Sequence, residues 1–421
     1  MTTKSLFTIT RIRGAAIALC LGLVVVVSAN QDYRPSDLDL TVAPYKYGLV
    51  GWELSHFTDK WLHKLGQFSP WRSRADTAER RRLAVEFFRL GSELEELEHL
   101  GLPTTGHPDG PASAKTPDPA ESPDLIELRM AEIREQRQRL QADVEETIEA
   151  EISAVLVQEG FSPRFGLIFP PVDTVFSAAP GVLILSPRDR IHRLKAIPLR
   201  PGLTDEEKDL IEDEILAQQD LAALVEGIGG IATFPSAVDE KGNMRHAVVT
   251  AAHEWLHHWF FFQPLGQGFW DGPQMTTLNE TAATLGGREI GNRAYASLTG
   301  GPLEPIPDPA LASKSFSYDV AILETRQRVD ELLSRGKIQE AEAYMEQRRQ
   351  LLVEQGFRIR KINQAFFAFR QAYATDPAST SPIAGQLKDL RDRSESLEEF
   401  LKTVAAFGSY QQFLAHLEGQ R

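Results

Sequence analysis

The strongest hydrophobic pattern lies at the start of the chain. Residues 14–29, GAAIALCLGLVVVVSA, carry no charge, and the basic residues Lys4, Arg11 and Arg13 precede them. A short apolar run behind a positive flank is typical of an export signal or a short membrane anchor. We therefore predict that residues 1–30 lead the rest of the chain out of the cytoplasm and are then either cleaved or retained in the membrane.

Mixed apolar and charged residues next predict helices. In 47–65 the apolar residues recur at helical spacing, which indicates an amphipathic helix lying on the core or in a membrane interface: Leu54, Phe57, Trp61 and Leu65. Residues 75–101 and 122–159 are rich in Glu, Arg, Gln and Leu, whereas the stretch between them is rich in Pro, Gly and Ser. We predict a helical region, 31–160, with an antiparallel hairpin around a flexible loop 102–122.

Short apolar runs typical of strands follow at 165–169, 182–186 and 190–199. Thr204 and Glu207 then have capping-box spacing, and we expect their helix to continue to about Glu226.

The segment 229–243 predicts the entry into a central helix. Residues 229–236 suit a short strand that ends at Pro235, and Asn243 is the expected cap of a helix that begins near Met244. From about residue 276 the pattern is mainly helical, with a hairpin across Gly336 and a loop at 375–385.

Together these patterns predict a fold of the α+β class that is mainly helical. We expect a small mixed β-sheet packed on the central helix, an N-terminal helical hairpin and a helical C-terminal lobe. The predicted divisions after the export segment are 31–160, 161–300 and 301–421.

Composition and charge narrow the classes of function. The chain has 421 residues, of which 42% are hydrophobic and 25% charged, as is usual for a globular protein. Its net charge of -14 argues against a nucleic-acid surface, because neutralising phosphates requires concentrated Lys and Arg. The single cysteine, Cys20, lies in the apolar run, so the exported body has no disulfide bond.

Residues 248–262, VVTAAHEWLHHWFFF, carry the clearest chemical pattern. On a helix, His253 and His257 are one turn apart and point the same way, so that two imidazoles can bind one metal ion. Glu254 would lie within reach of a water molecule on that metal. The neighbouring residues are uncharged, as expected of a helix buried beside a cleft. The pattern predicts a zinc site with Glu254 as the general base.

A catalytic zinc site of this kind needs a third protein ligand. Glu280 is the best candidate, because it lies on a second predicted helix among small apolar residues, where a carboxylate without a partner would cost free energy. Asp271, His258 and Glu289 are weaker candidates. Asp271 lies in a Gly/Pro turn, His258 points about 100° away from His257, and Glu289 neighbours Arg288.

The two segments resemble the active-site helices of the gluzincin class of zincin metallopeptidases. Residues 253–257 match the HExxH motif, and Leu278-Asn279-Glu280 with Ala283 looks like the glutamate-ligand helix of thermolysin-like enzymes and gluzincin aminopeptidases. The resemblance covers about 225–300. It implies a zinc ion held by His253, His257 and Glu280, catalysis by Glu254, and a peptide or protein substrate. It also suggests that 229–236 is an edge strand that pairs with substrate, with an ordinary core strand as the alternative.

The chain departs from those families at two points. Thermolysin-like enzymes place an Asp four residues after the glutamate ligand, where this chain has Thr284. The Gly-x-Met-Glu-Asn motif of the aminopeptidases is absent, so exopeptidase activity is not supported.

Four tyrosines are candidates for stabilising the negative oxygen that forms during hydrolysis: Tyr295, Tyr318, Tyr344 and Tyr373. Tyr373 is favoured because it follows a buried-looking helix and precedes a loop.

The sequence therefore predicts a membrane-anchored or secreted zinc metallopeptidase. One alternative is an exported helical scaffold with a structural or degenerate metal site, but a closed zinc site would need a fourth protein ligand, and no cysteine lies nearby. The other is a zinc hydrolase of non-peptide amides or esters, which would use the same water chemistry.

Overall fold

The computed structural model describes residues 35–53, 55–56, 60, 76–101, 123–161, 168–240, 243–303 and 317–419. The chain divides into two units, 1–45 and 46–421. In the first unit the described residues form helix α1 (Asp37–Val42), which Ser36 caps, and a 3-10 turn at Ala43–Tyr45.

Several predicted features lie outside these ranges. They are the export segment 1–30, the flexible loop 102–122 and the apolar positions of the predicted amphipathic helix: Leu54, Phe57, Trp61 and Leu65. Across the described ranges, none of the helices has both the length and the apolar character needed to cross a membrane.

Two long helices form the N-terminal part of the second unit, α2 (Thr77–Gly101) and α3 (Pro123–Gln158). Arg81 pairs with Glu151 at 2.7 Å near one end, and Glu93 pairs with Arg129 at 2.6 Å near the other. The start of α2 therefore lies beside the end of α3, which confirms that the two helices run antiparallel. Their contact buries a small apolar cluster: Leu90, Leu94 and Ile133.

Within the described residues, six short strands form two separate sheets instead of the single small sheet that we predicted. One sheet is mixed and has the order β1-β6-β5, while the other is antiparallel with the order β3-β2-β4. The strands are β1 (Thr174–Phe176), β2 (Gly181–Pro187), β3 (Lys195–Leu199), β4 (Leu221–Gly227), β5 (Gly230–Ile231) and β6 (Ser236–Val238). The α+β, mainly helical fold class is confirmed.

The prediction that one helix runs from Thr204 to about Glu226 is wrong from Asp220 onward. Helix α4 (Asp205–Gln219) begins with the expected capping box, but Asp220 adopts a left-handed conformation with φ 53° and ends it. Residues 221–227 then form β4. Their apolar run fits a buried helix or a buried strand equally well, and pairing along the whole length of β2 decides for the strand.

Two further strand predictions need correction. Only Lys195–Leu199 of the predicted strand 190–199 is extended and paired, and residues 168–169 lie outside any strand, while 162–167 fall outside the described residues. Pro235 does not end a single strand at 229–236, because β5 ends at Ile231 and β6 begins directly after the proline.

The centre of the molecule is a pair of helices, α5 (Met244–Phe261) and α7 (Pro273–Thr299), with the short helix α6 (Pro264–Gln267) between them. Asn243 caps α5 as predicted, because its Oδ1 accepts the backbone N–H of His246 at 2.8 Å. Small residues bring the pair together: a Cβ on Gly287 would lie 2.9 Å from the His253 Cα, and one on Gly291 would lie 2.5 Å from the Val249 Cα. Glycine therefore permits backbone contact at these two positions.

The remaining helices divide between two cores. The first core surrounds α5 and α7 and includes α11 (Ile383–Arg393), α12 (Leu397–Ala405) and α13 (Tyr410–Gly419). The second lies between the antiparallel sheet and three helices, α8 (Tyr318–Ser334), α9 (Ile338–Glu354) and α10 (Gln364–Arg370). The predicted helical hairpin across Gly336 is present as α8 and α9. The loop predicted at 375–385 lies at 371–382 instead, because α10 ends at Arg370 and α11 already begins at Ile383.

Candidate metal centre and active-site cleft

The structure brings together the three predicted metal ligands. The His253 Nε2 and His257 Nε2 atoms are 2.9 Å apart, and the Glu280 Oε2 lies 3.6 Å from the first and 3.4 Å from the second. The two histidines lie one turn apart on α5, and Glu280 comes from α7. One donor atom of each residue lies within 4.8 Å of the other two.

This arrangement fits a zinc ion. Three ligand atoms at usual zinc distances on a tetrahedral ion would be about 3.3 Å apart, and the observed separations run from 2.9 to 3.6 Å. When neither Nε2 atom carries a proton, the two lone pairs face each other and repel, and a cation between them would remove that repulsion. Two imidazoles and a carboxylate are also the usual donors of catalytic zinc.

Asn279 orients one of the ligands, and the sequence did not single it out for this role. His257 Nδ1–H donates to Asn279 Oδ1 at 2.9 Å, and Asn279 Nδ2 donates to the Leu265 carbonyl oxygen at 3.4 Å. With the proton on Nδ1, the Nε2 of His257 is left as a bare ligand atom. The only sequence feature that pointed to this role was that Asn279, a residue with a side-chain amide, directly precedes Glu280.

Glu254 is buried beside the three ligands and faces the edge strand β5. A Cβ on Gly230 would lie 2.7 Å from Glu254 Oε1, so a glycine is needed for this close approach. Burial raises the pKa of Glu254, the positive charges of His253 and His257 lower it, and the charge of Glu280 raises it further. A buried carboxylate with a raised pKa holds a proton more strongly than an exposed one, as a general base requires.

The ligands themselves are strongly coupled. Burial alone would lower the pKa of His257, but the Glu280 carboxylate outweighs it and raises that pKa to about 9. Burial would raise the pKa of Glu280, and the two histidines hold it well below its usual range instead. The site therefore stabilises Glu280 in its negative form beside positive charge on the histidines. A bound cation would stabilise the negative form of Glu280 in the same way.

Tyr373 is the candidate tyrosine that lines the same cleft as Glu254 and Glu280. The backbone N–H of Ala374 donates to Thr281 Oγ1 at 3.0 Å, which fixes the loop after α10 against α7. The charge of Glu280, burial and the charge of Glu254 together raise the pKa of Tyr373 well above its ordinary value. The phenol is thereby kept protonated and able to donate a hydrogen bond.

The other three candidate tyrosines lie outside this cleft, whereas the weaker ligand candidate His258 also lines it. Tyr295 packs against the first core and Tyr344 against the second, while Tyr318 lines a different cavity with Arg370. Among the weaker ligand candidates, Glu289 pairs with Arg391 at 2.8 Å, and the His258 ring packs against Phe234 with centroids 5.7 Å apart. Asp271 lies in the turn before α7.

The cleft above the three ligands has a volume of about 1280 Å³ and two unlike ends. Toward the end of α5 its wall is aromatic and exposed, with Trp270 82% accessible; this wall consists of Phe169, Phe261, Phe262, Phe269 and Trp270. Toward the start of α5 the wall is polar and includes His246, Thr250, Thr284 and Arg288. Strand β5 borders the cleft between the two ends.

No known protein family, curated protein or solved structure matched the chain.

Proposed function

We propose that the protein is a zinc-dependent peptidase in which His253, His257 and Glu280 hold the metal and Glu254 is the general base. The observation that carries the proposal is the convergence of three typical zinc donors on the wall of a large open cleft, with a buried carboxylate directly beside them.

The chain's own groups supply the proton transfers. Zinc, when bound, contributes Lewis acidity that makes a water molecule acidic near neutral pH. Glu254 accepts a proton from the attacking water and passes it to the leaving amine. The Tyr373 hydroxyl donates a hydrogen bond to the carbonyl oxygen as negative charge develops there.

The shape of the cleft favours a peptide over a smaller amide or ester. Its volume of about 1280 Å³ exceeds the range of roughly 300–1,000 Å³ usual for small-molecule sites. Strand β5 is also the edge of its sheet and borders the cleft. An exposed strand edge can pair with an extended peptide through backbone hydrogen bonds.

The scaffold alternative has less support from the geometry. A structural zinc ion is closed by four protein ligands, whereas the cluster found among the described residues offers three and opens onto the cleft. We propose further that the apolar run 14–29 places this body outside the cytoplasm, attached to or released from a membrane.

The test is to compare the zinc-loaded full chain with its Glu254→Gln variant on a broad peptide library. We expect both proteins to bind one zinc ion, as measured by elemental analysis, and the variant to lose at least about 100-fold in cleavage rate. Equal rates would show that Glu254 is not the base. A wild-type protein that binds zinc and hydrolyses only esters or non-peptide amides would overturn the peptidase assignment.

A further inference from the structure

Arg288 places a positive charge on the cleft wall in line with the metal site. Glu280, Thr284 and Arg288 are spaced by four residues along α7 and all line the cleft. Residues four apart share one face of a helix. Arg288 therefore extends the face that carries the third metal ligand toward the polar end of the cleft.

The described part of the protein provides no counter-charge for this arginine. Glu289, its neighbour in sequence, pairs with Arg391 at 2.8 Å, and the cleft-lining Asp376 pairs with Arg370 at 2.9 Å. Within those same ranges Arg288 has no ion pair or hydrogen bond. The Arg288 side chain is exposed on the cleft wall, where a ligand can reach it.

We propose that Arg288 binds a carboxylate of the substrate, so that the enzyme selects peptides with an acidic group on one side of the cleaved bond. This inference rests on the proposed peptidase function and adds the substrate class to it. A guanidinium forms two parallel hydrogen bonds with a carboxylate. No acid of the described residues pairs with the Arg288 guanidinium, which leaves it available.

The spacing along α7 sets where that carboxylate lies. Eight residues of helix separate Glu280 from Arg288, which is about 12 Å along the axis. An extended peptide covers about 3.3 Å per residue. The acidic group is thus expected within three or four residues of the cleaved bond, and it can be an Asp or Glu side chain or the C-terminal carboxylate of the peptide.

The experiment measures peptide cleavage and peptide binding with the zinc-loaded full chain. Fluorogenic peptides of one length carry Glu, Gln or Lys at each of the four positions on either side of the cleaved bond, with amidated ends. A second set ends in a free carboxylate or an amide. Binding of the same peptides to Glu254→Gln is measured by fluorescence anisotropy. The variants are Arg288→Gln and Arg288→Glu, with Arg393→Gln as a control on an exposed arginine of α11.

We expect wild-type protein and Arg393→Gln to prefer one acidic peptide over its neutral partner by about tenfold or more. In Arg288→Gln that ratio should fall to about one, and Arg288→Glu should prefer Lys at the same position. A preference that depends on Glu within the peptide indicates a side-chain carboxylate. A preference that depends on the free peptide end indicates the C-terminal carboxylate. Equal preference for all peptides, or a ratio that Arg288→Gln leaves intact, would overturn the proposal. If the protein bound acidic peptides selectively but cleaved none, the carboxylate-binding role of Arg288 would be supported and the peptidase function would be contradicted.

Discussion

Two carboxylates inside the protein, Glu212 and Glu280, are held in opposite ways. The Glu212 side chain is 1% accessible and the Glu280 side chain 13%. Glu212 accepts the backbone N–H of Val225 at 2.6 Å and pairs with Arg360 and with Lys361, the latter at 2.6 Å. Its charge is therefore balanced by permanent cations and by the backbone of β4.

Glu280 lacks such partners. Its neighbours are two histidines, whose charge depends on protonation, and it opens onto a cleft. A buried carboxylate that is closed by Arg and Lys stabilises a fold by joining its elements, here α4, β4 and the segment before α10. Glu280 instead faces two imidazoles, whose positive charge a bound cation could replace. The comparison sets a structural ion pair against a candidate metal site.

The largest effect is expected when each carboxylate is neutralised. Glu280→Gln should weaken zinc binding by more than about 100-fold, because it removes a ligand. Loss of a group that only orients a ligand already lowers metal affinity by about 10- to 100-fold. Glu212→Gln should cost about 3 kcal/mol of stability, because the buried Glu212 loses its ion pairs with Arg360 and Lys361. Thermal unfolding with and without zinc measures both effects.

The two variants should differ in how added zinc changes their melting temperature. Added zinc raises the melting temperature of any protein that binds it in the folded state, so Glu212→Gln should keep that rise and Glu280→Gln should lose it. If Glu212→Gln also lost the rise, or Glu280→Gln kept it, the contrast between the two carboxylates would be wrong.

A smaller effect is expected from the amide that orients His257. Asn279→Ala removes the acceptor for His257 Nδ1–H while all three ligands stay in place. Zinc affinity, measured by competition with a coloured chelator, should fall by about 10- to 100-fold. Asn279→Asp keeps an acceptor oxygen and should recover most of the affinity. Unchanged affinity in Asn279→Ala would show that the packing of α5 alone holds the ring.

The smallest effects concern the packing of the two ligand helices. Gly287→Ala forces a methyl group against the His253 backbone, and we expect a loss of about 1–3 kcal/mol in the free energy of unfolding. Gly385→Ala is the matched control, because it lies in α11 with open space around it and should gain about 0.5–1 kcal/mol. Denaturant unfolding distinguishes the two. Equal stability of both variants would contradict the close approach of α5 and α7.

The sequence predicted which side chains would lie together at the candidate site better than it predicted the sheets. His253 and His257 are set by helical geometry within five residues, and Glu280 stood out as a carboxylate among small apolar residues, so local rules sufficed to name all three. The error at 221–227 has a different origin, because LAALV carries no periodicity and its conformation depends on pairing with β2, a contact between distant segments. The contacts of Asn279 and Gly230 depend on the approach of separate elements and were missed for the same reason.

The central claim is tested most directly by crystals of the zinc-loaded protein measured at the zinc absorption edge. The account predicts one strong anomalous peak bound by His253 Nε2, His257 Nε2 and the Glu280 carboxylate, with the remaining coordination position facing the cleft. A peak at other residues, a fourth protein ligand on the metal, or no peak after zinc loading would contradict it.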